Sequence, residues 1–332
     1  MQQTISILMF IGLIIGLSFS AKAQSPYGSE PLAHTYSIVA IDPETGDMGV
    51  AVQSHWFSVG SLVIWGEAGV GVVATQSFVN PALGPTGLEL LKAGFAAPQA
   101  LKGLVQADPG QAVRQLAILD AKGNVATHTG SKCIEEAGHL IGEGFSVQAN
   151  MMLNAKVWPA MAEAFEKSKD KKFADRLLLS LEAAEKAGGD IRGKQSAAIL
   201  IVKAKSTGKV WEDRLVDLRV DDSPEPLKEL RRLWNVQQAY THMNEGDLAM
   251  EKNDVEGALK SYGAAEAMFP DNEEMKFWHA VALVNIQKME QAMKLFKEIF
   301  AKNKNWQTLV PRIHKSGLIN IDEIELKKIM AL

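Results

Sequence analysis

Cysteine is nearly absent. Cys133 is the single one among 332 residues, which excludes an intramolecular disulfide framework and any zinc or iron–sulfur site built on several thiolates. An excess of positive charge is missing too. The 35 Lys and Arg against 39 Asp and Glu leave a formal net charge of −4, whereas a nucleic-acid binder would normally carry a concentrated basic face. His34, His55, His128 and His139 lie far apart, without an H-x-x-x-H or H-E-x-x-H spacing, so nothing local announces a metal centre. Residues 66–71 are glycine-rich but lack the G-x-x-x-x-G-K-[ST] pattern of a phosphate loop. Neither metal nor cofactor is expected. What the chain does have is ordinary: 47% hydrophobic and 22% charged residues, enough for a core, on a length of about two domains.

Long apolar runs are scarce as well. The run at residues 5–17 is about 13 residues long, short of the roughly 20 that a bilayer-spanning helix needs. It is followed by Ala21-Lys22-Ala23, the small-x-small pattern of a secretory signal peptide, although residues 1–10 hold no Lys or Arg. The expectation is removal of residues 1–23, a mature chain beginning at Gln24, and a periplasmic or extracellular location without a retained membrane anchor. No cysteine near Ala23 supports a lipid anchor.

From residue 33 to about 222 the chain reads as strands, helices and strands again. Strands are expected over 35–41, 48–53, 70–75, 113–119, 123–128, 145–149, 196–203 and 214–220, with a Pro- and Gly-bearing turn at 42–47. Helices are expected over 87–93, 98–106, 158–167 and 173–187 from apolar residues at three- and four-residue spacing, the last stopped by Gly188-Gly189. Grouped strands with helices between the groups suggest two packed sheets with helices outside.

The polar break Asp221-Asp222-Ser223-Pro224-Glu225-Pro226 separates this part from a helical one over 227–332. Ala258 recurs as Ala292 and Tyr262 as Phe296, each 34 residues on. Gly246, Ala258, Tyr262, Ala265 and Pro270 occupy the slots of a tetratricopeptide repeat, while Ile299 and Lys304 depart from them in a second copy. Two repeats bury little surface alone, so residues 227–234 and 306–332 are expected to cap them. An ordinary pair of helical hairpins is the plainer reading.

Several stretches resemble the domain-of-unknown-function 1028 family. They include His34-Thr35-Tyr36-Ser37-Ile38-Val39-Ala40, Gly49-Val50-Ala51-Val52-Gln53-Ser54, and Ala74-Thr75-Gln76 with Asn80-Pro81. Phe145-Ser146-Val147-Gln148-Ala149-Asn150 and Gly188-Gly189-Asp190-Ile191-Arg192-Gly193-Lys194-Gln195-Ser196 follow in the same order. The resemblance covers residues 33–232 and implies an α+β fold, the four-layer αββα sandwich of the N-terminal-nucleophile hydrolases, in front of the tetratricopeptide-like helices. The tail is similar to one that some members carry and that is described as peptidoglycan-binding.

In such hydrolases the first residue of the mature chain attacks an amide, with its own α-amine as general base. An α-amine has a pKa near 8, so roughly a tenth of it is unprotonated at pH 7. The resemblance puts this role on Thr35, and secondarily on Ser37 two residues along the same strand face. Signal cleavage alone leaves Gln24 to His34 attached, so the Thr35 nitrogen stays an amide until a second cut is made. An ordinary strand threonine is the bland alternative.

Gln76, Asn80, Gln148 and Asn150 could donate to an oxyanion or hold a substrate amide, or equally satisfy turn backbone. Asp190, Arg192 and Lys194 could bring charge to a substrate carboxylate or a nearby amine, or form a solvated turn. His55 could line a pocket. Two functions of different kinds therefore stand: an exported amidohydrolase acting on an amide or peptide-like substrate, or a non-catalytic scaffold whose repeats bind a peptide, protein or peptidoglycan partner. Self-association is compatible with both.

Overall fold

The computed structural model describes residues 32–332; the expected signal peptide and the start at Gln24 lie outside the described residues. The chain is α+β, with two antiparallel sheets followed by a helical C-terminal region. It opens with β1 (Leu32–Ala33), β2 (Thr35–Ile41), β3 (Met48–Ser54), β4 (Ile64–Glu67) and β5 (Gly71–Phe78), then α1 (Leu83–Lys92) and α2 (Ala97–Ala107). There follow β6 (Arg114–Asp120), β7 (Val125–Thr129), β8 (Gly138–Gly142) and β9 (Phe145–Ala149), and α3 (Val157–Lys167) and α4 (Phe173–Lys186). This part closes with β10 (Ser196–Val202), the short α5 (Val210–Asp213) and β11 (Arg214–Val220).

One sheet runs β1-β5-β6-β7, with β4 also on β5; the other runs β11-β10-β3-β2-β9-β8. The period-two alternation of strand side chains divides the core. On β2, Tyr36, Ile38 and Ala40 join an apolar cluster with Met161 and Phe165 of α3 and Leu177 and Leu181 of α4. Val39 faces the other way, into a cluster shared by both sheets with Val50, Val52, Val72, Ala74, Ala117 and Leu119. A third cluster joins Val73, Leu116 and Ile118 to Leu88, Leu91, Leu101 and Leu104 of α1 and α2. Gly49 lets α4 approach the sheet, since a Cβ there would lie 2.6 Å from Leu177 Cδ1.

The expected elements appear in the expected order, with β1, β4, β8 and the four-residue α5 in addition. Each of these is short, and β8 is an edge strand with exposed Leu140 and Ile141 between two glycines, so alternation has too few positions to register. Helix α1 begins at Leu83 rather than near residue 87 because Pro85 sits in its first turn, where no backbone N–H is needed.

The helical region comprises α6 (Pro226–Glu251), α7 (Val255–Met268), α8 (Glu273–Asn285), α9 (Met289–Lys302), α10 (Lys304–Lys315) and α11 (Glu323–Met330). Helix α6 belongs to both parts. Its Leu227 and Leu230 are buried in the cluster beneath the second sheet, whereas Ala239 and Met243 pack with Ala258, Tyr262 and Ala265 of α7. Gly246 permits that crossing: a Cβ would fall 2.7 Å from the Tyr262 ring. Phe277, Phe296, Phe300 and Ile299 form the next cluster, closed by Val310, Ile313 and Ile329 of α10 and α11. No helix among the described residues is long and apolar enough to cross a membrane.

Candidate functional site

The space between the sheets changes character along its length. In register with inward apolar residues stand polar ones, all toward the end where β2 begins. Thr35 and Ser37 precede Val39, Gln76 follows Val72 and Ala74, Gln115 precedes Ala117 and Leu119, and Ser54 follows Val50 and Val52. Thr35, Ser37, Ser54, Gln76, Gln115, Gln148 and Asn150 are all wholly buried. Buried polar groups must find partners or cost free energy, and these find one another.

Gln115 is the hub. Its Oε1 accepts from Gln76 Nε2 at 2.7 Å and from Asn150 Nδ2 at 2.9 Å, while its Nε2 donates to Thr129 Oγ1 and to the Ala149 carbonyl, both at 2.9 Å. Ser37 Oγ donates to Gln76 Oε1 and accepts from Gln148 Nε2, each at 2.6 Å. Thr35 Oγ1 donates to the Ala33 carbonyl at 2.6 Å. The Thr35 carbonyl accepts from Gln76 Nε2 at 3.2 Å and Asn150 Nδ2 at 3.3 Å.

Chain N-terminal to Thr35 covers this network. Leu32 and Ala33 of β1 pair with Phe78 and Ser77. His34 is buried, its ring edge-on to Phe78 and its Nδ1 2.7 Å from Asn150 Oδ1. Burial lowers the His34 pKa below its ordinary value, against the opposing hydrogen bond to Asn150. The carbonyl oxygen of His34 accepts two hydrogen bonds, from Ser54 Oγ at 2.6 Å and from Arg192 Nη2 at 2.9 Å. Arg192 is aimed by Asp190, whose Oδ1 accepts from Arg192 Nε at 3.0 Å and whose Oδ2 accepts from Arg192 Nη2 at 2.7 Å.

Of the residues expected from the sequence, Thr35, Ser37, Gln76, Gln148 and Asn150 meet in this one network, with Asp190 and Arg192 at its edge. His55 is adjacent through its backbone N–H, which donates to Asp190 Oδ2 at 3.3 Å. Two others are placed elsewhere. Asn80 closes its own turn, accepting from the Ala82 N–H at 3.2 Å. Lys194 pairs with Glu225 at 2.8 Å, on the side where Glu185 accepts from the Tyr36 hydroxyl. Sequence reasoning missed Gln115, Ser54 and the His34 carbonyl. A signal existed for Gln115, a polar residue in phase with the buried Ala117 and Leu119. Among the described residues no group of three or more His, Cys, Asp or Glu could hold a metal ion.

The domain is thus α+β, two antiparallel sheets with helices packed against them and a buried polar network at the head of β2. The chain belongs to the DUF1028 family, whose model, described as a family of unknown function, matches residues 35–230. A crystal structure of protein SPO2555 from Silicibacter pomeroyi, of the same family, is 36% identical, covering 61% of this chain and 85% of that one, with a TM-score of 0.55. Anbu, an ancestral beta-subunit from Yersinia bercovieri, covers 60% of this chain and 93% of its own at 13% identity, but its TM-score of 0.29 is too low to carry an argument. No curated protein matches the chain.

Proposed function

We propose that the protein is the precursor of an N-terminal-nucleophile amidohydrolase, activated by scission of the His34–Thr35 bond. In this reading the two sheets and their flanking helices are the four-layer αββα sandwich over residues 33–222, and α6 to α9 are two tetratricopeptide-like helix pairs. The observation that carries it is the His34 carbonyl, held by a guanidinium N–H and a hydroxyl beside the Thr35 side chain. Two donors on a carbonyl oxygen stabilise the negative charge that develops there under attack.

Thr35 Oγ1 adds to the His34 carbonyl carbon, the C–N bond breaks, and the hydroxyl proton ends on the Thr35 nitrogen. Water then hydrolyses the resulting ester to a His34 carboxylate and a free Thr35 α-amine. The amine is now a base of suitable pKa for the adjacent hydroxyl. Loss of His34 also frees Asn150 Oδ1, and with Gln76, Gln148 and Ser37 it would line a polar pocket for a substrate amide. The family match, over residues 35–230, includes Thr35 and the residues of the network around it. An exported chain would meet amide or peptide-like substrates outside the cytoplasm.

The rival reading, a scaffold whose repeats bind a peptide, protein or peptidoglycan partner, is favoured by the burial of Thr35 and Ser37 in the uncut chain. N-terminal sequencing and intact mass of the protein purified from its own host decide between them. A chain starting at Thr35, with Thr35→Ala retaining its leader and Thr35→Ser restoring the cut, supports the enzyme. An N-terminus at Gln24 in wild type and Thr35→Ala alike ends the proposal.

A further inference from the structure

At the opposite end of β2, six residues and roughly 20 Å from Thr35, the molecule carries a cleft of about 950 Å³. Its lining includes Ile41, Phe145, Phe165 and Phe173, an apolar floor contributed by β2, β9, α3 and α4. Arg176, in the first turns of α4, also lines it. Arg176 is 7% exposed, yet its side chain makes no hydrogen bond or ion pair with any described residue, and its Nε is enclosed without an acceptor. Its Cζ lies 4.2 Å from the centroid of the Phe165 ring. Stacking covers one face of the guanidinium and leaves its N–H edge as the direction for a partner.

A buried cation with no counter-ion is costly, and proteins rarely keep one unless something else satisfies it. Burial accordingly lowers the Arg176 pKa, with Asp42 and Glu44 opposing from a distance. Neither carboxylate bonds it; Asp42 instead accepts from the Glu44 N–H and the Thr45 hydroxyl of its own turn. Helix α4 starts at the same cleft, and its N-cap, Lys172, supplies no side-chain cap. The uncapped N–H groups of a helix start add a positive field there. Exposed Lys122, Lys169, Lys171 and Lys172 on the rim face exposed Glu44, Glu143 and Glu166. The rim is therefore nearly balanced, and the buried guanidinium sets the sign inside.

We propose that this cleft binds an organic monocarboxylate with an apolar body, the carboxylate pairing with Arg176 and the body lying on the phenylalanine floor. A planar guanidinium matches a carboxylate geometrically, the floor rewards apolar area, and one guanidinium inside a nearly balanced rim calls for one negative charge. The site is independent of Thr35 and of any cut there.

The test is calorimetric titration of the full chain with 3-phenylpropionate and with hexanoate. The neutral 3-phenylpropan-1-ol and inorganic phosphate serve as comparisons. The carboxylates should bind at least about ten-fold more tightly than either comparison, and Arg176→Met should weaken them by about ten-fold or more, with Arg176→Lys between. Thr35→Ala should bind as wild type does. Without ligand, Arg176→Met should melt at or above the wild-type temperature, because it removes an unpaired buried charge. Absence of saturable binding by both carboxylates, equal binding of the alcohol, or tighter binding of phosphate overturns the proposal. So does a loss of ligand-free stability in Arg176→Met that Arg176→Lys restores, which would make Arg176 a packing residue.

Discussion

Strand β2 begins beside one guanidinium and ends beside another, and the two are held differently. Arg192 is gripped by both oxygens of Asp190, a carboxylate with no solvent exposure, and spends its free edge on the His34 carbonyl. Arg176 is more deeply buried and has no such partner among the described residues. A paired, aimed cation is preorganised for one carbonyl already present beside it, whereas one left unpaired by the described residues is complementary to something those residues do not supply. The contrast separates a charge built into the fold from a charge kept for a visitor.

The largest effect should come from cutting the first pairing. Asp190→Ala removes the carboxylate and strands Arg192 and the His55 N–H, a break of a buried ion pair that costs about 3–5 kcal/mol. Arg192 is 24% exposed, so relaxation into solvent could bring the value to the lower end. A urea-denaturation loss below about 1 kcal/mol would erase the distinction from Arg176, whose replacement by Met is expected to cost nothing.

Next in size is Gln115→Leu. It deprives Gln76 Nε2 and Asn150 Nδ2 of their shared acceptor, at about 1–3 kcal/mol for a donor left buried and unsatisfied. The same measurement on a Leu119→Ile variant, at the apolar end of the same strand, should move stability by less, since shape changes within apolar cores usually cost under about 1.5 kcal/mol.

The smallest expected effect is a pH dependence centred on His34. Burial lowers its folded-state pKa below the unfolded value of 6.5, so below that pH the unfolded chain takes up a proton that the folded chain resists. Stability contributed by neutral His34 is therefore fully present above pH 6.5 and is lost as pH falls beneath it. Melting temperatures from pH 7.5 to 5 should fall less steeply in His34→Gln than in wild type. Identical slopes would show that the ring is protonated without penalty. His139, also lowered by burial, supplies a remaining slope in the variant.

Much of the fold was legible because alternation and helical spacing are local: β2, β9 and β11 have the bounds read from the sequence, and the helices follow within a few residues. The polar network was partly legible for the same reason. Gln76, Gln148 and Asn150 interrupt apolar strands, and such interruptions inside a core need partners. Who partners whom is a matter of register between strands distant in sequence, and that is why Gln115 went unnoticed while Asn80 and Lys194 attracted attention. Arg176 was illegible for a different reason. A charge on an amphipathic helix reads as solvent-facing by default, and only the arrival of the β2–β3 turn and α3 beside it makes it buried.

The polar, proline-bearing stretch before Pro226 reads in the sequence as a break between two parts, but α6 begins inside the core of one part and ends inside the core of the other. Its 26 residues make a rod of roughly 40 Å, with neither Pro nor Gly between Leu227 and Glu245 to let it bend. The helical tail is consequently mounted as a lever rather than tethered as a passenger. A tilt imposed at its seated end, close to Asp175 and Glu182 that Arg231 grips, would be amplified at the far end instead of being absorbed.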